Sequence, residues 1–227
     1  MDTPFPWPQA NEVHIHCLPH ATEAVHYIAP DEILRANRLI DPDKRARFVA
    51  HRGLLRKILG RYLELQPEEL HFIVGEHGKP YLATKDFNKS RLNFNLSHSG
   101  TLFLLAVATD LDVGIDVEEQ IDTSFSDMAR LAFSPREQKE LFELPDHLQQ
   151  SAFYRCWTRK EAYLKACGLG FALPSNSFDV SLLHDTTTSL SAPNGPCRWY
   201  LQDITVPKAY SATLAVNVAT PILRYID

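Results

Sequence analysis

Trp157-Thr158-Arg159-Lys160-Glu161-Ala162-Tyr163-Leu164-Lys165 reads as one helix. Arg, Lys, Glu, Ala and Leu are strong helix formers, and neither Gly nor Pro interrupts them. Phe153, Trp157 and Leu164 supply apolar residues at helical spacing. Glu161 stands one turn after Trp157, and Lys165 one turn after Glu161, so a carboxylate and an ammonium share a face. Alone, this is an i,i+4 ion pair worth a few tenths of a kcal/mol. A second stretch, Val113-Gly114-Ile115-Asp116-Val117-Glu118, gives it a further meaning. On a strand, residues two apart point the same way. Asp116 and Glu118 then project side by side, while Ile115 and Val117 face a core. Paired carboxylates call for a cation or a protonated partner. Otherwise they mark a solvated acidic strand end. Gly114 lets another element approach the backbone closely.

Mg²⁺ is commonly held by one or two carboxylates, with waters and phosphate oxygens completing its shell. Glu161 adds a third carboxylate and Lys165 a counter-charge. Phosphoryl transfer needs positioning and charge neutralisation above all, and this set provides both. A third stretch, Phe94-Asn95-Leu96-Ser97-His98-Ser99-Gly100, ends a strand in a turn offering hydroxyls, backbone N–H groups and an imidazole. Such a turn suits a phosphate. Ser97 and His98 point to opposite faces, so they form no hydrolytic dyad. The sequence also lacks a Gly-x-Ser-x-Gly elbow.

Outward from these stretches, the pattern predicts strands at Glu12–Leu18, Leu70–Val74, Leu92–Leu96, Leu102–Ala108, Phe178–Leu183, Arg198–Gln202 and Ser211–Ala219. It predicts a helix over Thr22–Asn37, broken at Pro30 and restarting behind Asp31. Further helices are expected from Pro42 to Glu64, from Pro135 behind the Ser134 cap, and from Gln149 to Ala166, ending at Gly168. His14 and His16 alternate with Val13 and Ile15 and read as the exposed face of a half-buried strand. With His20 nearby they could also bind a metal. Thr101–Thr109 echoes Ala212–Thr220, which points to two similar halves.

The 227 residues carry a net charge of −5, which argues against a general nucleic-acid binder. From Arg35 to Arg61, nine Lys and Arg face two Asp, a local charge of +7 that leaves −12 for the remainder. A basic segment in an acidic chain suggests a local anion site. No apolar run is long enough to cross a membrane, and the N-terminus lacks the n- and h-regions of a signal peptide. The four cysteines stand far apart, as reduced residues of a cytoplasmic protein do.

Together with Gly78-Lys79-Pro80 and Phe133-Ser134-Pro135-Arg136-Glu137, the three stretches resemble the 4′-phosphopantetheinyl transferases of the two-repeat, surfactin synthetase-activating type. The motifs occur in the family's order over about residues 30 to 220. The resemblance implies an α+β fold of two similar α/β halves, residues 1–111 and 112–227, about a pseudo-twofold axis. Coenzyme A would lie in the cleft between them. It implies Mg²⁺ held by Asp116, Glu118 and Glu161, with Glu161 and Lys165 catalytic. Ser97 and His98 would bind coenzyme A, His98 at its 3′-phosphate with Arg35, Arg38 and Arg52. Lys44 and Arg47 compete for that last role. Lys79 and Pro80 would lie beside the adenine, and Lys160 and Lys165 would serve the pyrophosphate. The partners would be apo acyl or peptidyl carrier proteins, not nucleic acid or membrane, and a monomer would suffice. Two other functions keep the same residues: a Mg²⁺-dependent hydrolase of a nucleotide pyrophosphate, and a coenzyme A-binding module without turnover.

Overall fold

The computed structural model describes residues 3–19, 26–83, 92–183, 188–191 and 198–226. Two four-stranded sheets pack face to face, and a 22-residue helix covers the outer face of each. The first sheet has the order β10-β1-β5-β4, built from Ile222–Tyr225, Glu12–Pro19, Leu102–Thr109 and Leu92–Ser99. The second has the order β6-β9-β8-β7, built from Val113–Glu119, Tyr210–Val216, Arg198–Asp203 and Thr188–Ser191. A two-stranded ribbon, β2 (Phe72–Val74) and β3 (Pro80–Leu82), precedes β4. The helices are α1 (Pro30–Asn37), α2 (Pro42–Leu63), α3 (Ser126–Ala132), α4 (Pro135–Glu143) and α5 (Asp146–Cys167).

The period-two pattern of β5 builds two cores at once. Leu102, Leu104, Ala106 and Ala108 point inward with Val113, Ile115 and Val117 of β6 and Ala212, Leu214 and Val216 of β9. Phe103, Leu105 and Val107 point outward to Leu55, Ile58, Leu59 and Tyr62 of α2. On the second sheet, Leu201 and Ala215 meet Phe153, Cys156, Ala162 and Tyr163 of α5. The internal echo falls on β5 and β9, inner strands of the two sheets, which fits two similar halves. One strand crosses between them. β10 pairs in parallel with β1, Glu12 opposite Ile222, so the C-terminal segment completes the first sheet.

Several sequence expectations change. His14 and His16 are not exposed. Each is 1 % accessible, and both meet the Tyr62 hydroxyl, His14 Nδ1 at 2.8 Å and His16 Nε2 at 2.9 Å. Helix α2 covers the face that the alternation marked as polar. His20 lies outside the described residues, as do residues 22–25 of the helix expected upstream of Pro30. Helix α1 starts at Pro30, with Ala29 rather than Asp31 as N-cap. The segment Phe178–Leu183 is not a strand. The carbonyls a neighbouring strand would use accept instead from α5: Phe178 from Lys160, Leu182 from Arg155, and Ser181 and Leu183 from Arg159. Cys17, Cys156 and Cys167 are in no disulfide among the described residues, and Cys197 is outside them.

Burial holds His16 down to about 3 from its ordinary 6.5, and it lowers His14 as well. A histidine with a depressed folded pKa stays neutral while the unfolded chain takes up the proton. For His16, stability therefore falls as pH drops from about 6.5 toward 3, by up to about 1.4 kcal/mol per pH unit, and His14 acts in the same direction. We expect the urea midpoint to decline steeply between pH 6.5 and 4.5. His16→Leu should flatten that decline, and an unchanged pH slope would show that His16 does not set it.

Candidate active site

The site begins with a missing side chain. A Cβ on Gly114 would lie 2.2 Å from Ala162 O and 2.3 Å from Ala166 N. Its absence lets α5 rest directly on β6. Asp116 and Glu118 share the Gly114 face, so they point toward α5, where Glu161 and Lys165 are one turn apart. Lys165 Nζ donates to Asp116 Oδ1 at 2.6 Å and to Ser97 Oγ at 2.9 Å. Ser97 Oγ donates to the same Asp116 oxygen at 2.9 Å. Burial, then the Asp116 charge, raises the Glu161 carboxyl above its usual range, and Lys165 opposes the shift. Glu118 is raised by the same two causes in the same order, with the Ser99 hydroxyl opposing.

Because Gly114 sets the approach of α5, Gly114→Ala should push the helix away from β6 and carry Glu161 and Lys165 with it. Overpacking of this kind costs about 1–3 kcal/mol, and a misplacement near 1 Å can cost on the order of 10²-fold in rate. Thermal unfolding and turnover measured together should show both losses. Wild-type turnover in the variant would mean that the α5–β6 contact does not position the carboxylates.

Among the described residues, β6 pairs with β9 alone. Its other side faces the alternate side chains of β4. Asn95 Oδ1 accepts from Ile115 N at 2.9 Å, and Ser99 Oγ accepts from Glu119 N at 3.0 Å. Just before β6, Asn93 Nδ2 donates to Leu111 O at 3.0 Å. One face of β4 thus joins the first sheet to the carboxylate strand of the second. Its opposite face carries Leu96 and His98 toward α2.

A cleft of about 670 Å³ runs between the halves, with Glu161 and Lys165 on one wall and His98, Arg35 and Arg52 on the other. His98 stacks on His51 at 4.0 Å and 28°. Arg52 pairs with the buried Glu32, which also binds Arg56 at 2.7 Å. Gly78, Lys79 and Pro80 line the cleft. The Lys79 ammonium instead ties the ribbon to the second half, donating to Val113 O at 3.0 Å and Ala166 O at 3.1 Å. Burial lowers its pKa. Arg38, Lys44 and Arg47 are exposed and outside the cleft lining.

Lys160 departs most from expectation. It is 2 % accessible and sits 2.8 Å from Glu137 Oε2, donating also to Ser175 O and Phe178 O at 2.7 Å each. One residue before Glu161 is about 100° round the helix, which turns Lys160 from the cleft into the core. It is absent from the cleft lining where the pyrophosphate was expected to meet it. Sequence reasoning also missed His51, although it extends the Leu55, Ile58 and Tyr62 stripe of α2 by one turn. It missed Ser99, which follows Asn95 and Ser97 at strand period.

A cation fits this donor set. Asp116 Oδ2 is buried without a hydrogen-bond partner among the described residues, a costly arrangement unless something positive meets it. Among those residues, no three His, Cys, Asp or Glu side chains form a ready metal cage. Asp116, Glu118 and Glu161 therefore form no complete site by themselves, and Mg²⁺ there would take the rest of its shell from water and phosphate.

Residues 112–215 match the family model described as 4′-phosphopantetheinyl transferase superfamily, and residues 17–110 match 4′-phosphopantetheinyl transferase, N-terminal. The 4′-phosphopantetheinyl transferase HetI of Nostoc sp. is 43% identical over 72% of this chain and 71% of its own. The chain belongs to the 4′-phosphopantetheinyl transferases. Another relative, 4′-phosphopantetheinyl transferase Sfp of Bacillus subtilis, is 28% identical over 86% of this transferase and 84% of that one. The rat L-aminoadipate-semialdehyde dehydrogenase-phosphopantetheinyl transferase is 32% identical over 70% of this transferase and 55% of that one.

Proposed function

We propose that this transferase moves the 4′-phosphopantetheine arm of coenzyme A onto a serine of an apo acyl or peptidyl carrier protein, releasing adenosine 3′,5′-bisphosphate. The observation that carries this reading is the pairing, across one cleft, of Glu161 and Lys165 with the basic wall of His98, Arg35 and Arg52, with Asp116 bonded to Lys165 at 2.6 Å and Glu118 within reach of the Asp116 and Glu161 charges. A pyrophosphate suits the first and a 3′-phosphate the second. The carrier serine oxygen bonds to the β-phosphorus, and the bond from that phosphorus to the bridging oxygen breaks. The serine proton goes to Glu161, whose raised pKa suits it to receive one. Lys165 stabilises the departing phosphate. Asp116, Glu118 and Glu161 would hold Mg²⁺, which would neutralise charge on the pyrophosphate. Pro80 and the Lys79 backbone flank the base. The two halves of one chain supply both walls, so a cytoplasmic monomer suffices. Among the described residues, no helix is long and apolar enough to cross a membrane.

Incubation with coenzyme A, Mg²⁺ and an apo carrier protein, followed by intact mass, tests the reading. The carrier should gain one phosphopantetheine. Cleaved coenzyme A with an unmodified carrier would make the protein a hydrolase. Bound but intact coenzyme A would make it a binding module.

A further inference from the structure

Ser99 is the last residue of β4, in the half opposite the carboxylates, yet its hydroxyl lies within the carboxylate strand's hydrogen-bonding reach. Ser99 Oγ donates to Glu118 Oε2 at 2.8 Å and accepts from Glu119 N at 3.0 Å. With its acceptor site filled by a backbone N–H, the hydroxyl proton is directed at Glu118. The turn behind Ser99 is fixed from the second half as well. Thr101 N and Oγ1 each lie 3.2 Å from the Tyr210 hydroxyl, and Tyr210 is the register partner of Glu119. Gly100 makes this docking possible: its φ is +52°, and a Cβ there would stand 2.2 Å from Glu119 Oε2 and 2.7 Å from the Tyr210 hydroxyl.

Glu118 is less enclosed than Asp116, and an unrestrained glutamate samples several rotamers whose entropy must be lost on binding. We propose that Ser99 is a positioning residue that orients Glu118 toward the cation and pyrophosphate of the bound substrate. This rests on the transferase reading above. It touches no reacting atom itself. The same strand presents His98 on its other face, so β4 aligns the carboxylate end of the cleft with the 3′-phosphate end.

Partners that orient a metal-binding carboxylate are generally worth 10–100-fold in metal affinity. The test uses Mn²⁺ as a paramagnetic probe, titrated into wild type, Ser99→Ala and Ser99→Thr in the presence of coenzyme A. Bound Mn²⁺ is read by electron paramagnetic resonance, and transfer to an apo carrier is followed in parallel. Ser99→Ala should weaken Mn²⁺ half-saturation by about 10–100-fold, and Ser99→Thr, which keeps the hydroxyl, should restore it. A role confined to stability would lower the melting temperature of Ser99→Ala and leave its Mn²⁺ half-saturation unmoved, overturning the proposal. Failure of threonine to rescue would overturn it too. Wild type that shows no metal-dependent transfer would sink the transferase reading and this proposal together. Active wild type with an unaltered Ser99→Ala curve would sink the Ser99 assignment alone.

Discussion

Glu161→Gln should lower carrier modification by about 10²–10⁴-fold, and saturating Mg²⁺ should not restore it. Glutamine keeps the length and an oxygen but loses the capacity to take a proton. The geometry separates Glu161 from the other two carboxylates. Asp116 and Glu118 ride β6 and are engaged by Lys165, Ser97 and Ser99. Glu161 rides α5 and lines the cleft itself. Burial and the neighbouring Asp116 charge raise its pKa, which moves it toward the range in which a carboxylate accepts a proton effectively. A residue that only held metal would lose metal affinity on amidation, and high Mg²⁺ would recover the rate. Transfer measured against Mg²⁺ at saturating coenzyme A distinguishes the two. Full recovery would leave Glu161 as a ligand and move the proton acceptor elsewhere.

Elements defined by local chemistry were legible before any coordinates. Ser134-Pro135-Arg136-Glu137 announces α4 through its cap, and Gly168 ends α5 in a left-handed turn, φ 67°. The pairing of Asp116 with Glu118 and of Glu161 with Lys165 could be read because strand and helix periods are fixed, whereas the seating of α5 on Gly114 needed the fold. Features that depend on distant partners could not. β10 joins β1 across some two hundred residues of sequence, and nothing in Ile222–Tyr225 names its partner. His14 and His16 look exposed until α2 brings Tyr62 over them. Phe178–Leu183 alternates like a strand, yet its carbonyls bind Arg155, Arg159 and Lys160. The nine-cation segment also divides in a way its charge alone conceals. Arg35 and Arg52 reach the cleft, Arg56 is buried on Glu32, and Arg38, Lys44 and Arg47 stay in solvent.

Lys160→Ala should damage the fold rather than the chemistry. Glu137 is 0 % accessible, and its carboxylate meets Ser134 N at 2.8 Å, Val180 N at 2.7 Å, Lys160 Nζ at 2.8 Å and the Cys156 thiol. Of these partners, Lys160 supplies the positive charge. Removing it leaves a carboxylate in the core and strips the Ser175 and Phe178 carbonyls of their donor. Breaking one partner out of a buried ion pair costs about 3–5 kcal/mol. For a chain of this size that is a fall in melting temperature of roughly 6–20 °C. The double variant Lys160→Met with Glu137→Gln removes both charges and should recover much of the loss, because the penalty lies in the unmatched charge more than in the missing contact. The opposite expectation, Lys160 on the pyrophosphate, predicts a normal melting temperature with weakened coenzyme A binding. Thermal unfolding and coenzyme A affinity, measured on the same two variants, decide between them. A stable Lys160→Ala with impaired coenzyme A binding would return the residue to the cleft. An unstable one rescued by the double variant places α5 in two roles on adjacent residues, Lys160 holding the Glu137 core and Glu161 facing the substrate.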